Sequence, residues 1–356
     1  MNDACPAEKP RRQQQLGEWA QGCLASRLSP GQVLALSPVS GDAGFRRYYR
    51  VSPRVLASLA VDAPPATEKN REFCHVARLL RQYGIHAPQV FAVNYERGFL
   101  LLEDLGDVMY WPRLLQSQQA NDHLHISLYE DATRCLQKIA AIPVEEAGLA
   151  RYDAEKLQQE MDLFPQWFVE ALLQINREKE QVQILQDMNK RLIASALEQP
   201  LVVVHRDFHS RNLLVTENNN PGVIDFQDAV VGPVTYDLVS LYRDCYVSWP
   251  ALQVEQWVRD YYQQCLTKGL IDPVGEEIFL RWFDWMGLQR HLKVLGIFAR
   301  LYLRDQKAGY LKDLPLVIFY TLSVAKKYPE FSPFVDWFER VLLPKARKFD
   351  WYRELS

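Results

Sequence analysis

The chain has 356 residues, enough to bury a large core in two or three domains or lobes. An apolar content of 48% with 24% charged residues is ordinary for a soluble globular protein, and a net charge of −3 gives no reason to expect nucleic acid or an anionic membrane as a partner. No apolar stretch is long enough to cross a bilayer, and no signal peptide is visible. Six scattered cysteines indicate reduced thiols, so we expect a cytoplasmic protein.

The first part of the chain reads as a polar tail, a helix and a series of strands. Residues 1–15 are polar and charged, which predicts disorder, and apolar spacing from Leu16 predicts a helix that ends near Leu28. The predicted strands are 32–38, 45–51, 55–61, 89–94 and 98–103, and an amphipathic helix is predicted at 66–83. This order predicts a small, β-rich lobe.

Two segments of this lobe are candidates for nucleotide binding. Small residues, among them Ser40, Gly41 and Gly44, separate the first two strands, and backbone N–H groups in such a turn can approach phosphates closely. A plain hairpin turn explains them about as well. The strand at 98–103 runs into an acidic, glycine-bearing segment, where main-chain groups from Glu103 to Leu105 would bond an adenine edge. The alternative there is an edge strand that leads into a loop.

From about residue 110 the pattern is mainly helical. The predicted helices are 122–142, 154–175, 178–197, 235–246, 251–268, 275–304, 313–327 and 334–348, and short strands interrupt them at 201–204, 213–216 and 222–226. The chain is therefore predicted to be an α+β, bilobal protein. We divide it into a disordered N-terminus (1–15), a nucleotide-binding lobe (16–106) and a large helical lobe (107–356).

The strands near residue 200 carry the chemistry. The buried strand 201–204 runs into His-Arg-Asp, and Asn212 follows Asp207 at the spacing of a kinase catalytic loop. A second strand ends in Asp225-Phe226-Gln227, where such enzymes carry Asp-Phe-Gly. Phosphoryl transfer needs a carboxylate that orients and deprotonates a hydroxyl, and an amide oxygen and a carboxylate that hold magnesium. These residues therefore predict phosphoryl transfer.

These motifs, with Gly232-Pro233 and Tyr236-Asp237-Leu238, resemble the aminoglycoside phosphotransferase and choline kinase-like superfamily, a branch of the protein-kinase-like fold. Only ten residues separate Phe226 from Asp237, where a protein kinase would have a long activation loop. A small-molecule substrate is therefore favoured over a protein. Asp237 is expected to be an N-cap or an anchor for the loop.

More narrowly, residues 44–51, 62–65, 98–107 and 287–296 resemble the bacterial anomeric amino-sugar kinases of peptidoglycan recycling. The resemblance implies that ATP phosphorylates the C1 hydroxyl of N-acetylmuramate and N-acetylglucosamine, with Asp207 as base and Asn212 and Asp225 holding Mg²⁺. His205 would buttress the loop, and His209 would reach the acceptor or support Asp207. The alternatives are a kinase of an amino alcohol or aminoglycoside, and a nucleotide-binding pseudokinase.

One departure from the kinase pattern concerns the phosphate-binding lysine. The third strand, 55–61, contains no lysine. Phosphate neutralisation then falls to Arg46, Arg47, Arg50 or Lys69, or to magnesium and backbone donors. Glu72 is a candidate helix partner for such a cation, with a solvated helix charge as the even alternative.

The acceptor site is predicted on the helix at 275–304. Gln289, Lys293, Gly296, Arg300 and Arg304 share one stripe of this helix. The mid-helix glycine would leave room for a ligand while Lys293 or Arg300 bonds the lactyl carboxylate of N-acetylmuramate. The alternative is a solvated helix face with a glycine at a helix crossing. Trp282 and Trp285 are candidates for stacking on a sugar ring, but most aromatic residues at such spacing are core residues.

Overall fold

The computed structural model describes residues 8–39, 45–120 and 122–354. The first elements in chain order are α1 (Glu8–Leu24), β1 (Ala35–Val39), β2 (Arg47–Ser52), β3 (Ser58–Asp62), α2 (Asn70–Gln82), β4 (Val90–Asn94), β5 (Phe99–Glu103), α3 (Tyr110–Ala120), α4 (Leu124–Ala140), α5 (Val144–Ala147), α6 (Ala154–Met161), a π-helix (Phe164–Leu172) and α7 (Lys179–Leu197). The later elements are β6 (Leu201–Val204), β7 (Leu213–Leu214), β8 (Gly222–Val223), β9 (Val230–Pro233), α8 (Tyr236–Tyr242), α9 (Ala251–Thr267), α10 (Glu276–Leu303), a 3₁₀-helix (Ala308–Asp313), α11 (Leu314–Ala325), α12 (Ser332–Trp337), a second π-helix (Phe338–Leu342) and α13 (Leu343–Ala346).

The chain folds into two compact units. The first holds the described residues up to Tyr110 together with Asn212–Asp228, and the second holds those of Trp111–Arg211 and Ala229–Ser356. The sequence-based division placed 212–228 in the second lobe, so the first unit of the structure takes in a segment that is distant in the chain. The fold class, with a strand-rich first part and a mainly helical remainder, is confirmed.

The first unit is built on a five-stranded antiparallel sheet of order β1-β2-β3-β5-β4. Strand β5 lies between β3 and β4 and carries four consecutive buried residues, Phe99 to Leu102, as expected of a strand that is covered on both faces. Ala60 of β3 pairs in register with Leu101, and both lie in an apolar core with Leu16 of α1. The sheet is therefore anchored by its contact with α1.

Helix α1 corrects the prediction of disorder for residues 8–15, while residues 1–7 lie outside the described residues. Leu16, Ala20 and Leu24 are spaced by one helical turn and are buried against the sheet. Arg12 donates from Nε to the buried carboxylate of Asp62 at 3.0 Å. The polar composition was misleading because polar residues cover the outer faces of this helix, and its apolar contacts start only at Leu16.

Asn212–Asp228 joins the first unit through a short hairpin. Leu213 of β7 pairs with Val223 of β8, and Gly222 forms a bridge with His86. The Val223 N–H donates to the His86 carbonyl at 2.8 Å. These bonds fix the two ends of the hairpin, and the predicted metal ligands lie beside them.

The second unit is organised around α10, a helix of 28 residues. A helix that is buried on all sides lies in the middle of a core, and Trp282 and Trp285 are buried in α10 as expected. Helix α10 nevertheless carries buried polar residues, namely Asp284, Gln289, Arg290, His291 and Lys293. Within the described ranges, no helix is both long and apolar enough to span a membrane.

The strand before the catalytic loop has a partner that sequence patterns did not reveal. Leu201 of β6 pairs with Pro233 of β9, and Val204 pairs with Val230, in an antiparallel ladder.

The predicted helix at 154–175 is in fact α6 followed by a π-helix that begins at Phe164, just before Pro165. A proline removes a backbone donor, so the regular helix ends there.

Candidate functional site

The predicted catalytic loop follows β6 in the second unit and is anchored by Asp237. The backbone N–H groups of His205 and Arg206 donate to the Asp237 carboxylate at 2.5 and 2.9 Å. Asp237 lies inside the first turn of α8, so it is a loop anchor and not an N-cap. Leaving buried donors without their acceptor costs about 1–3 kcal/mol for each group, so this carboxylate stabilises the start of the loop.

His205 supports the loop from the protein interior. Its side chain is buried, its Nδ1 accepts a hydrogen bond from the Asp207 N–H at 3.3 Å, and its ring lies edge-on to Phe208. These contacts support a structural role. The ring of His209 lies edge-on to Tyr246 with the ring centroids 5.4 Å apart.

Neighbouring cations keep the Asp207 carboxylate ionised. Withdrawal from water by itself raises the pKa of this carboxyl group, but the charges of Lys293, His209 and Arg290 outweigh it, and the pKa falls to about 2. A carboxylate of so low a pKa accepts a hydrogen bond from a hydroxyl at any physiological pH. It is a weak base, however, which suits a reaction in which the hydroxyl loses its proton late.

The predicted acceptor residues Gln289 and Lys293 belong to a buried polar network. Lys293 Nζ lies 3.2 Å from a Glu160 carboxylate oxygen and donates to the Tyr236 hydroxyl at 3.0 Å. The Gln289 side chain is fully buried and donates to the Tyr152 hydroxyl at 3.3 Å. The alternative of a solvated helix face is therefore wrong. Glu160 is the carboxylate partner of Lys293 within the protein, and a contact of Lys293 with an acceptor carboxylate stays a prediction.

The rest of the predicted stripe has a different explanation. A Cβ added to Gly296 would lie 2.3 Å from the carbonyl carbon of Leu163, so the glycine allows close packing of α10 against the neighbouring chain. Arg300 is half-buried, seven residues and roughly 10 Å of helix beyond Lys293. Burial and the charge of Arg304 lower the pKa of Arg300. Its contact with an acceptor stays a prediction.

The two predicted metal ligands lie together in the first unit. The Asn212 amide nitrogen is 3.4 Å from Asp225 Oδ2, and the Gln227 amide donates to Asp225 Oδ1 at 2.8 Å. Asp225 has a φ of +63°, a left-handed conformation that aspartate adopts at a modest cost. Such conformations persist where the surrounding structure determines them, and they are frequent at functional sites.

This pair suits magnesium when phosphate supplies further ligands. Mg²⁺ prefers oxygen ligands and is usually held by one or two carboxylates, with phosphate oxygens and water completing its octahedron. Across residues 8–39, 45–120 and 122–354, no group of three His, Cys, Asp or Glu side chains is arranged to hold a metal ion. An amide and a carboxylate would leave most of the octahedron of Mg²⁺ to phosphate oxygens and water.

Arg46 lies beside this pair. Its Nε is 3.1 Å from Glu68, its guanidinium carbon is 4.7 Å from the centre of the Phe73 ring, and its Nη1 donates to the Gln227 side-chain oxygen at 3.1 Å. Gln227 also binds Asp225, so a single side chain connects Arg46 to the predicted metal ligand. The arrangement is an ion pair between a cation just before β2 and a glutamate before α2.

The other cations considered for this role pair with other carboxylates: Arg47 with Asp62 (3.7 Å), Arg50 with Asp104 (2.7 Å) and Asp107 (2.8 Å), and Lys69 with Asp228 (2.8 Å). Glu72, the predicted helix partner, is exposed. Glu68 pairs with Arg46 instead. Arg46 is therefore the strongest of the four candidates.

The predicted adenine-binding segment is also in the first unit. The Glu103 N–H donates to the Gln89 carbonyl at 2.8 Å and its side chain pairs with Arg81, so the N–H and the carboxylate of Glu103 are already engaged. The Leu105 N–H has no hydrogen-bond partner among the described residues, which makes it the better candidate for an adenine edge. The predicted phosphate-binding turn, with Ser40, Gly41 and Gly44, lies outside the described residues.

Sequence reasoning missed Glu160 and gave Arg290 no definite role. Glu160 shares a helical face with Leu157 and Phe164, three residues before it and four after it, and an acidic residue on an apolar face is the signal that was overlooked. Arg290 is buried, and its charge lowers the pKa of Asp207.

Curated relatives match nearly the whole chain. The chain is 42% identical to the N-acetylmuramate/N-acetylglucosamine kinase of Pseudomonas aeruginosa over 90% of its length and 94% of the relative. The protein of the same name from Pseudomonas putida is 41% identical over 90% of this chain and 94% of the relative. The one from Neisseria meningitidis is 38% identical over 91% of this chain and 94% of the relative.

Solved structures confirm the fold. An ADP-bound aminoglycoside phosphotransferase superposes with a TM-score of 0.54 at 15% identity, over 87% of this chain and 98% of the other. An ethanolamine kinase from Plasmodium vivax gives 0.58 at 10% identity, over 81% of this chain and 82% of the other. The sequence model of the APH family, described as a phosphotransferase enzyme family, matches residues 35–269, which include Asp207, Asn212 and Asp225. The chain thus belongs to this family of phosphotransferase enzymes.

Proposed function

We propose that this enzyme transfers the γ-phosphoryl group of ATP to the anomeric C1 hydroxyl of N-acetylmuramate and N-acetylglucosamine. The observation that carries the proposal is the likeness to three kinases of these two sugars, at 38–42% identity over nearly the whole chain. The product is the sugar 1-phosphate. Its place in cell-wall recycling follows from the substrate, since both sugars are components of peptidoglycan.

Asp207 is proposed to be the catalytic base. An anomeric hydroxyl belongs to a hemiacetal and is more acidic than an ordinary alcohol, so a strong base is not needed. The Asp207 carboxylate, with a pKa of about 2, is ionised at any physiological pH and orients the hydroxyl by accepting its hydrogen bond. It takes the proton late, when the bond to phosphorus is already forming.

Asn212 and Asp225 are proposed to hold magnesium with the nucleotide. The ion, when bound, neutralises charge on the phosphate oxygens. The chain itself supplies an amide oxygen and a carboxylate, and the Gln227 amide fixes the orientation of the Asp225 carboxylate. The Leu105 backbone is proposed to bond the adenine edge.

Arg46 is proposed to neutralise the nucleotide phosphates in place of the missing lysine. We expect Arg46→Met to raise the KM for ATP by roughly tenfold or more, because a charge-assisted hydrogen bond contributes about 1.5–3 kcal/mol. Arg47→Met is the matched control, since the neighbouring Arg47 faces Asp62 instead. Steady-state kinetics with varied ATP measure the effect, and equal KM values in the two variants would assign the phosphates to another group.

A panel of acceptors tests the proposed function against its rivals. With ATP and Mg²⁺ we expect phosphorylation of N-acetylmuramate and N-acetylglucosamine, and no comparable turnover of choline, ethanolamine or kanamycin. Preferred turnover of a cationic acceptor would favour a kinase of amino alcohols or aminoglycosides. Nucleotide binding without turnover of any acceptor would favour a pseudokinase.

A further inference from the structure

A cluster of aromatic and charged residues lies beside the catalytic loop, within the second unit. The Arg211 guanidinium carbon is 3.6 Å from the centre of the Tyr246 ring and 4.4 Å from that of Trp111. The Arg211 Nη2 lies 3.8 Å from Asp313 Oδ2, beyond hydrogen-bond distance. We call Trp111, Arg211, Tyr246 and Asp313 the Arg211 cluster. No step proposed above uses it.

Backbone hydrogen bonds tie the cluster to the loop that carries Asp207. The Ser210 N–H and the Tyr246 N–H both donate to the carboxylate of Asp244 at 3.0 Å. The Ser210 carbonyl accepts from the Trp111 N–H at 3.0 Å. Arg211 is four residues after Asp207, so the cluster and the catalytic carboxylate belong to one short, firmly held segment.

Three polar atoms of the cluster are buried and lack a hydrogen-bond partner in the described part of the chain. They are Arg211 Nε and Trp111 Nε1, which are donors, and Asp313 Oδ2, which is an acceptor. The side chains of Arg211 and Asp313 remain 17% and 14% exposed, so part of the cluster is open to solvent. Two donors beside an acceptor complement hydroxyl groups, since each hydroxyl both donates and accepts.

Charge favours hydroxyl groups over a carboxylate as the ligand. Asp313 lies next to Arg211, and Asp244 is close enough to act on it electrostatically. A ligand carboxylate bound at the cluster would face the side chains of both Asp313 and Asp244. Burial raises the pKa of Asp313 to about 6, against the opposing charges of Arg211 and Lys312, so Asp313 is ionised at neutral pH and repels anions. A neutral sugar ring meets no such repulsion.

We propose that the Arg211 cluster is the acceptor subsite, and that it binds ring hydroxyl groups that N-acetylmuramate and N-acetylglucosamine share. The inference rests on the proposed function and names the residues that bind its acceptor. Gln289 and Lys293, the acceptor residues expected from the sequence, bond within the protein. The lactyl group of N-acetylmuramate is not recognised by this cluster. A substitution in the cluster should therefore weaken the binding of both sugars alike.

The test compares Arg211→Met and Asp313→Asn with the wild type for both sugars. We expect the KM of each sugar to rise roughly ten- to a hundredfold, with an unchanged ratio of kcat/KM between the sugars and an unchanged KM for ATP. Arg281→Met is the matched control. Arg281 makes a similar contact with the Trp285 ring, at 4.4 Å, and takes no part in the cluster, so its removal should leave both sugar KM values unchanged.

Each outcome decides the inference. Unchanged sugar KM values in both variants would overturn it and leave the proposed function intact. A loss confined to N-acetylmuramate would also overturn it, because Arg211 would then bind the carboxylate. If Arg211→Met does not fold, as judged by its thermal melting, the isosteric Asp313→Asn carries the test. A wild type that phosphorylates neither sugar would refute the proposed function, and the inference with it.

Discussion

Replacement of Asp207 by asparagine is expected to lower kcat by roughly 10²–10⁴, the usual contribution of a general base. Asparagine keeps the size of the side chain but cannot take the hydroxyl proton. Asparagine has no ionisable side chain, so raising the pH should not restore the variant, and the wild-type carboxylate, with a pKa of about 2, stays ionised over the same range. Steady-state rates from pH 6 to 9 measure the loss.

Measuring nucleotide binding distinguishes the loss of the catalytic base from the loss of the folded structure. The affinity of Asp207→Asn for ATP in the presence of Mg²⁺ should match that of the wild type, because Asp207 is not assigned to the metal. Asp162→Asn, on an exposed position of the same unit, should leave kcat unchanged. Near wild-type turnover of Asp207→Asn would refute the proposed mechanism.

Replacement of Asp225 by asparagine is expected to weaken nucleotide binding in a way that depends on magnesium. The change removes the carboxylate charge that would bind the ion while it keeps the shape of the side chain. We expect the Mg²⁺ concentration for half-maximal activity to rise by roughly tenfold or more, as for the loss of one charged interaction of about 1.5–3 kcal/mol. A titration with Mg²⁺ at fixed ATP measures it.

Asp228→Asn is the matched control for this titration. Asp228 lies three residues further along and pairs with Lys69 on the protein surface, so its loss should leave the magnesium dependence unchanged. If Asp225→Asn and Asp228→Asn gave the same titration curve as the wild type, Asp225 would have a structural role only.

Much of the fold could be predicted because its elements have strong periodic patterns. The strand at 98–103 and the helix at 275–304 agree with β5 and α10 to within one residue at each end. Strand β9 was missed because Val230–Pro233 ends in a glycine and a proline, which read as a turn, and only its ladder with β6 makes it a strand. This segment is a strand because it pairs with a distant strand, and no local sequence pattern shows that pairing.

The candidate site could be predicted only where a motif fixes residue types at a short spacing. The motif indicated Asp207, Asn212 and Asp225 at once, and the structure places Asn212 beside Asp225. The role of the stripe on α10 could not be predicted, because helical spacing shows which side chains share a face, but not what that face contacts. Lys293 faces Glu160, which is 133 residues away in the chain, so no local sequence pattern connects the two residues.

The most direct test of the central claim uses N-acetylglucosamine and its methyl glycoside, in which a methyl group blocks the C1 oxygen. With ATP and Mg²⁺, we expect the free sugar to be phosphorylated and the glycoside to be left unchanged. The product should show a phosphorus signal coupled to the anomeric proton in nuclear magnetic resonance spectra. Phosphorylation of the methyl glycoside, or a product that retains its reducing end, would contradict transfer to the anomeric hydroxyl.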